Sequence, residues 1–237
     1  MYDIAFISYF ESDATTDYIK LLKAYPYNRI FRIQNIVGIH QAHIEAAKAS
    51  NTPMFYVVDA DADIIPSFKF NIKLLPEDED VVHVWRSVNP INGLEYGYGG
   101  VKLLPKQLTL NMKLSNVDMT TSISTRFKVM DEISNITKFN IDPLSTWRSS
   151  FRECVKLSSK TINGQVDSET QHRLDVWRFN HSKVLYAEYS RGGASAGEWY
   201  GSTYKDDPEA LAKINDFEWL EHQFNAHIKQ FPPETFK

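Results

Sequence analysis

The chain has 237 residues, 43% of them hydrophobic and 24% charged, an ordinary globular composition with enough apolar material for a sizeable core. Its formal charge of −4 does not mark the whole chain as an obvious polyanion binder. A single cysteine, Cys154, excludes an intrachain disulfide, and no apolar run approaches the ~18 residues of a membrane span. The opening "MYDIAFISYF" has no basic leader and carries Asp3 early. No signal peptide is therefore expected, and the protein is expected to be soluble and cytoplasmic, away from membranes.

In chain order, "DIAFISYF" reads as a strand buried on both faces. "SDATTDYIKLLKAYP" follows as a helix with polar capping residues and a proline stop. "NRIFRIQNI" is a second strand, "GIHQAHIEAAKASN" a second helix, and "PMFYVVDADAD" a third strand. This β-α-β-α-β order predicts an α/β fold with a mostly parallel central sheet and crossover helices. "FKFNIKLL" and "VVHVWRSVNP" read as strands around the acidic turn "PEDED", and "INGLEYGYGGVKLLPK" ends on another strand. Residues 107–141 give no clear signal. "DPLSTWRSSFRECVKLSSK" is a helix with Asp142 as N-cap and Pro143 in its first turn; Cys154 falls mid-helix, as a buried small hydrophobe would. "SETQHRLDVWRFN" is a further helix, "VLYAEY" is strand-like, "SRGGASAG" reads as a flexible loop, and one or two helices close the chain.

The chemistry concentrates in "FYVVDADADI", where an apolar strand runs into Asp59, Asp61 and Asp63. In an open α/β sheet ligands bind beyond the carboxyl ends of the strands, and alternate residues of an extended strand point to one side. Carboxylates so crowded repel one another unless a cation joins them. Hard divalent cations such as Mg²⁺ or Mn²⁺ take oxygen ligands and commonly bridge to substrate phosphates. A calcium loop fits poorly, since counting from Asp59 its glycine position is Ile64 and its glutamate position Phe70. A solvated acidic turn is the alternative.

An apolar third strand ending in Asp-x-Asp after a β-α-β-α-β start resembles the GT-A (Rossmann-like) fold of nucleotide-sugar glycosyltransferases. The resemblance implies a single GT-A-like domain over residues 1–237, with a donor half at about 1–105 and an acceptor half with C-terminal helices at about 106–237. It implies Mn²⁺ or Mg²⁺ bridging a donor diphosphate, with a UDP-sugar as the expected donor. Asp59 would lie toward the nucleoside, Asp61 and Asp63 toward the metal, and Ser8 and Tyr9 with the nucleotide. "YGYGGVKLLP" resembles the glycine-rich piece that shapes the sugar pocket, which places Gly99 and Gly100 there; a plain hairpin turn explains it as well. "NIDPLSTWRSSFREC" resembles the segment in which an acidic residue opens a helix with arginine downstream. Asp142 is then the candidate general base, although an N-cap role accounts for it equally. Arg148 and Arg152, four apart, are set to meet phosphate or to salt-bridge Glu153. "RFNHSK" offers His181 as a third metal ligand ahead of His83 and His40, against the commoner structural role of a lone histidine. "SRGGASAGEWYG" is the expected mobile loop over the donor, with Arg191 stabilising the leaving diphosphate.

"VVDADADI", "YGYGGVKLLP" and "DPLSTWRSSFRECVKL" together resemble the phage glycosyltransferases associated with TET/JBP-type base-modification systems. The resemblance implies a hydroxymethylated pyrimidine in DNA as acceptor, within the host cytoplasm. Residues 99–191 carry 14 Lys and Arg against 9 Asp and Glu, a basic middle that fits a salt-sensitive DNA face or merely a solvated surface. Trp85, Tyr96, Tyr98 and Trp147 are candidates for base stacking or for the core. Three other readings stay open: a cell-surface polysaccharide glycosyltransferase, a metal-dependent nucleotidyltransferase or nuclease drawing also on Asp118, Asp131 and Glu132, and a non-catalytic binding protein on a degenerate scaffold.

Overall fold

The computed structural model describes residues 1–97, 99–113, 118–162, 164–179 and 183–232. They form two compact units: the described residues of Met1–Val88, Glu95–Leu114 and Met119–Lys138, and those of Asn89–Leu94, Ser115–Asp118 and Phe139–Lys237.

The first unit opens as expected, with β1 (Asp3–Ser8), α1 (Ala14–Ala24), β2 (Ile30–Gln34), α2 (Ile39–Ala49) and β3 (Met54–Asp59). It continues through β4 (Ala62–Ile64), β5 (Val82–Val88), β6 (Glu95–Tyr96), β7 (Val101–Pro105), α3 (Lys106–Leu110), α4 (Met119–Ile123) and β8 (Phe127–Thr137). The sheet order is β2-β1-β3-β7-β5-β8-β4, with β6 on β5. β1 pairs in parallel with β2 and β3, and β5 with β8. The β3–β7, β5–β7, β4–β8 and β5–β6 pairs are antiparallel. The sheet is therefore mixed, which corrects the mostly parallel expectation. Parallel neighbours need a long crossover, and among the described residues from β3 to β7 there is no α-helix to supply one.

Alternate residues of the central strands enter two cores. Ile4, Phe6, Tyr56 and Val58 pack with Ala14 and Leu21 of α1, while Ala5, Phe55 and Val57 pack with Ala46 and Ala47 of α2. This double burial is why β1 and β3 read as continuous apolar runs. The predicted strand "FKFNIKLL" is not one. Phe68 and Phe70 are buried and alternate with exposed Lys69 and Asn71, but its backbone groups are met by side chains. The Tyr25 hydroxyl donates to the Phe68 carbonyl (2.9 Å), and the Tyr56 hydroxyl accepts from the Ile72 amide (3.3 Å). Burial periodicity alone does not make a ladder. Trp85 and Tyr96 are buried here, so they belong to the core rather than to a stacking surface; Tyr98 lies outside the described residues.

The second unit is helical: α5 (Pro143–Ser159), α6 (Asp167–Phe179), α7 (Ala187–Thr203), α8 (Pro208–Ala212) and α9 (Phe217–Gln230). Its core joins Trp147, Phe151 and Val155 of α5 to Tyr200, Leu211, Ile214, Leu220 and Phe224, so Trp147 is also structural. The expected flexible loop "SRGGASAG" and the last residues of "VLYAEY" lie within α7. The physical reason is close packing. A β-carbon on Gly193, Gly197 or Gly201 would overlap the carbonyl oxygens of Trp147, Phe151 and Val155, respectively. One helical turn on α7 thus matches one turn on α5, and the two helices run parallel with their backbones in contact. Glycine lowers helix propensity by about 1 kcal/mol, a penalty the tertiary contact outweighs. No helix among the described residues is long and apolar enough to cross a membrane.

Gly197→Ala should therefore cost about 2–3 kcal/mol, as overpacking does, despite alanine's better helix propensity. The exposed neighbour substitution Ser195→Ala should stay within about 0.5 kcal/mol of the parent. Urea unfolding of the three proteins checks this; equal midpoints for the parent and Gly197→Ala would remove the close-packing account.

Candidate active site

From β1 the chain forms β2 on one side and then crosses back through α2 to form β3 on the other, so the carboxyl ends of β1 and β3 meet at a topological switch point, the usual place for a ligand in such sheets. Ile7 is in register with Asp59, and the Ala60 amide donates to the Ile7 carbonyl at 2.9 Å. Antiparallel β7 brings its amino end to the same spot, and the Asp59 amide donates to the Gly100 carbonyl at 3.0 Å.

Asp59 is expected to lie toward the donor nucleoside; its partner in the structure is a lysine. Lys102 of β7 has a side chain only 3% exposed, and its Nζ donates to Asp59 Oδ2 at 2.7 Å. The same Nζ donates to the Gly99 carbonyl. Gly99 has φ +85°, a conformation that favours glycine and turns this carbonyl to the ammonium. At Gly100 a β-carbon would press on the Asn135 side-chain amide at 2.8 Å. Both glycines therefore have backbone reasons to be there. Lys102 was passed over in the sequence because "GVKLLP" reads as an apolar strand. A lysine in a strand buried on both faces was the available signal, since such a charge is almost never fully buried unpaired.

The extended register expected through Asp59, Asp61 and Asp63 is broken by a turn at Ala60–Asp61. Asp61 is half-buried, and its carbonyl accepts from the Lys138 amide at 2.8 Å. Burial, then the charge of Asp59, push its carboxyl up to about 7; Lys102 pulls against this and Glu11 adds to it. Asp63 falls on β4 and is exposed. It lines a cleft of about 270 Å³ with Asp17, Lys20 and Lys69 over Phe6 and Leu21. The carboxylates that act on Asp61 are thus Asp59 and, more weakly, Glu11, while Asp63 joins Asp17 in acting on Lys20. Among the described residues no group of three His, Cys, Asp or Glu side chains gathers as a metal cage. Two carboxylates are still a fitting donor set for Mg²⁺ or Mn²⁺ that draw their other ligands from phosphates and water.

At the end of β1, Ser8 Oγ accepts from Arg32 Nε at 2.9 Å, and Arg32 also donates to Thr15 Oγ1 at 3.0 Å. The Tyr9 amide donates to Glu11 Oε2 at 2.7 Å, with the Tyr9 ring 4.4 Å from that of exposed Phe10. On the buried face of α2, His43 is 1% exposed. Its Nδ1 is 2.8 Å from the Ile39 carbonyl, so Nδ1 carries the proton, and its Nε2 is buried without a partner. Burial first, then the Lys102 ammonium, press this imidazole down to about 3. No local sequence pattern marks Arg32, Glu11 or His43 as neighbours of this site.

The other expected residues lie in the second unit. Asp142 caps α5: Oδ1 accepts from the Ser145 amide at 2.8 Å and Oδ2 from the Ser145 hydroxyl at 2.7 Å. The guanidinium of Arg148 sits 4.3 Å from the Phe217 ring centre, and Arg152 donates to Asn215 Oδ1 at 3.0 Å. Glu153 pairs with Lys156 at 3.4 Å. Arg191 stands on α7 rather than on a mobile loop, half-buried, with a buried Nε that has no partner. His181 lies outside the described residues. Asp118 pairs with Lys156 at 3.6 Å, and Asp131 and Glu132 are exposed on β8.

No protein-family model matches the chain, and no curated protein sequence matches it. Among solved structures it is similar to HddC from Yersinia pseudotuberculosis, at 17% identity over 57% of this chain and 70% of that one, with a TM-score of 0.34. That likeness is too low to transfer fold or function.

His43 yields a pH prediction. Its ordinary value is about 6.5 and its folded value is about 3, so between these the unfolded chain binds the extra proton. Its contribution is complete above pH 6.5 and is lost as pH falls. The drop in unfolding free energy from pH 7 to 4.5 should shrink in His43→Gln by on the order of 2 kcal/mol, read by urea unfolding at both pH values. An unchanged drop would mean that His43 protonates in the folded state.

Proposed function

We propose that this chain is a glycosyltransferase that moves a sugar from a nucleotide-sugar donor, a UDP-sugar in the first instance, to a hydroxyl of a hydroxymethylated pyrimidine in DNA. The observation that carries this reading is the Asp59–Asp61 pair at the β1/β3 switch point, backed by Gly99, Gly100 and the Lys102 ammonium. Developing negative charge on a departing diphosphate needs fixed positive charge beside it. Asp59 and Asp61 would hold Mn²⁺ or Mg²⁺, which supplies such charge when bound. Ser8, with Arg32 hydrogen-bonded to it, and Tyr9 border the same strand ends and are set to meet the nucleotide. Asp142 is the acceptor-side base of this reading and Arg191 its helix-borne cation. The basic stretch 99–191 supports a DNA acceptor. Asp131 and Glu132 are exposed on β8 and Asp118 pairs with Lys156, so no specific observation favours the nuclease or nucleotidyltransferase reading.

The test is incubation with Mn²⁺ and a panel of nucleotide sugars, following nucleotide release with and without hydroxymethylated DNA. Modified DNA should stimulate release, and Asp61→Asn should lower it by roughly a hundredfold. Absence of nucleotide-sugar binding by calorimetry with Mn²⁺ present would sink the reading. Asp142→Asn should keep donor affinity and the helix cap, because asparagine caps nearly as well as aspartate, while turnover falls. Undiminished turnover would leave Asp142 as a cap alone.

A further inference from the structure

The Lys102 ammonium has two acceptors, Asp59 Oδ2 and the Gly99 carbonyl. An ammonium carries three donors, so one N–H is unmet in a buried place. Nearby, His43 Nε2 is a buried lone pair with no donor. Lys102 lies opposite Val57, which packs on Ala46 and Ala47 of α2, so its side chain leaves the sheet on the α2 face where His43 is buried, and its charge acts on that imidazole. The two unmet groups are complementary: an ammonium released from Asp59 has an acceptor in His43. Asp59 therefore has one oxygen committed to an internal cation, and that cation has a second place to rest.

We infer that Lys102 is an internal competitor for the carboxylate pair, so that a divalent cation reaches Asp59 only by displacing the Lys102 ammonium toward His43. This makes Lys102 a positioning residue that sets how weakly the empty protein holds metal. A weakly held cation favours arrival together with a diphosphate, whose oxygens complete the coordination shell. The charge argument is direct. With lysine in place, Asp59 and Asp61 present at most one net negative charge, and without it they present up to two. One additional unit charge about 5 Å from a doubly charged ion changes its affinity roughly tenfold even at the dielectric of water. The inference rests on the reading of Asp59 and Asp61 as a cation-binding pair, but not on the identity of donor or acceptor.

The experiment uses Mn²⁺ alone, with no sugar nucleotide, and reads binding by electron paramagnetic resonance of free Mn²⁺. Lys102→Gln, which keeps a hydrogen-bond donor for Asp59 and Gly99, and Lys102→Met should both bind Mn²⁺ roughly tenfold or more tightly than the parent. Adding Asp61→Asn to either should remove the gain. Equal affinities in parent and both variants, or no Mn²⁺ binding by any of them, would overturn the inference. Should neither variant fold, the parent is titrated with diamagnetic Mg²⁺ while the His43 Nε2 nitrogen resonance is followed. A shift that saturates with Mg²⁺ supports the exchange, and a resonance that stays fixed overturns it. Because no donor is present, failure of transferase activity leaves this result standing, and failure here leaves the transferase reading to its own test.

Discussion

Strand β3 imposes the constraint on which the first unit is built. Its residues from Met54 to Val58 are all buried, and both edges of its backbone must be paired, because an unpaired buried amide or carbonyl is costly. One edge takes β1 in parallel and the other takes β7 in reverse. That second pairing has the larger consequence. Running antiparallel, β7 delivers its amino end, with Gly99 and Gly100, to the carboxyl end of β3. It also sets Lys102 opposite Val57, two residues before Asp59. A fully parallel sheet would have placed the same lysine elsewhere.

Once Lys102 is buried, its charge governs its surroundings. An ammonium leaves water at a cost of several kcal/mol unless it is paired and hydrogen-bonded, and Asp59 with the Gly99 carbonyl meets that need. The same charge stabilises two neighbours in opposite senses. It tempers the repulsion that keeps the Asp61 carboxyl high, and it reinforces the neutrality of His43. The three aspartates thus part company. Asp59 is held in an ion pair, Asp61 is poised near neutrality by burial and its neighbour, and Asp63 stands exposed above a separate cleft.

The second unit solves a different problem. Trp147 and Phe151 stack with ring centres 4.7 Å apart on one side of α5. The α7 glycines meet not these rings but the backbone of Trp147, Phe151 and Val155, and glycine at every fourth position of α7 lets the backbones touch. Ser150 and Ser158 line the same seam and donate to carbonyls within their own helix, so their hydroxyls are satisfied without spreading the pair.

The sequence alone makes legible the opening β-α-β-α-β, the strand end bearing the aspartates, and the helix capped by Asp142. Each rests on local rules: apolar runs, capping chemistry and alternating element types. Its unread region contained β8, whose first half is largely exposed beside β5 and so carries little of the apolar signature. It also misread "FKFNIKLL" and "SRGGASAG". In the first, burial alternates without a strand partner; in the second, glycine serves packing rather than mobility. The direction of β7, the turn that separates Asp63 from its neighbours, and the pairing of Lys102 with Asp59 are set by long-range packing. These depend on which segments lie side by side, and a residue's own sequence neighbours carry no record of a partner 43 positions away.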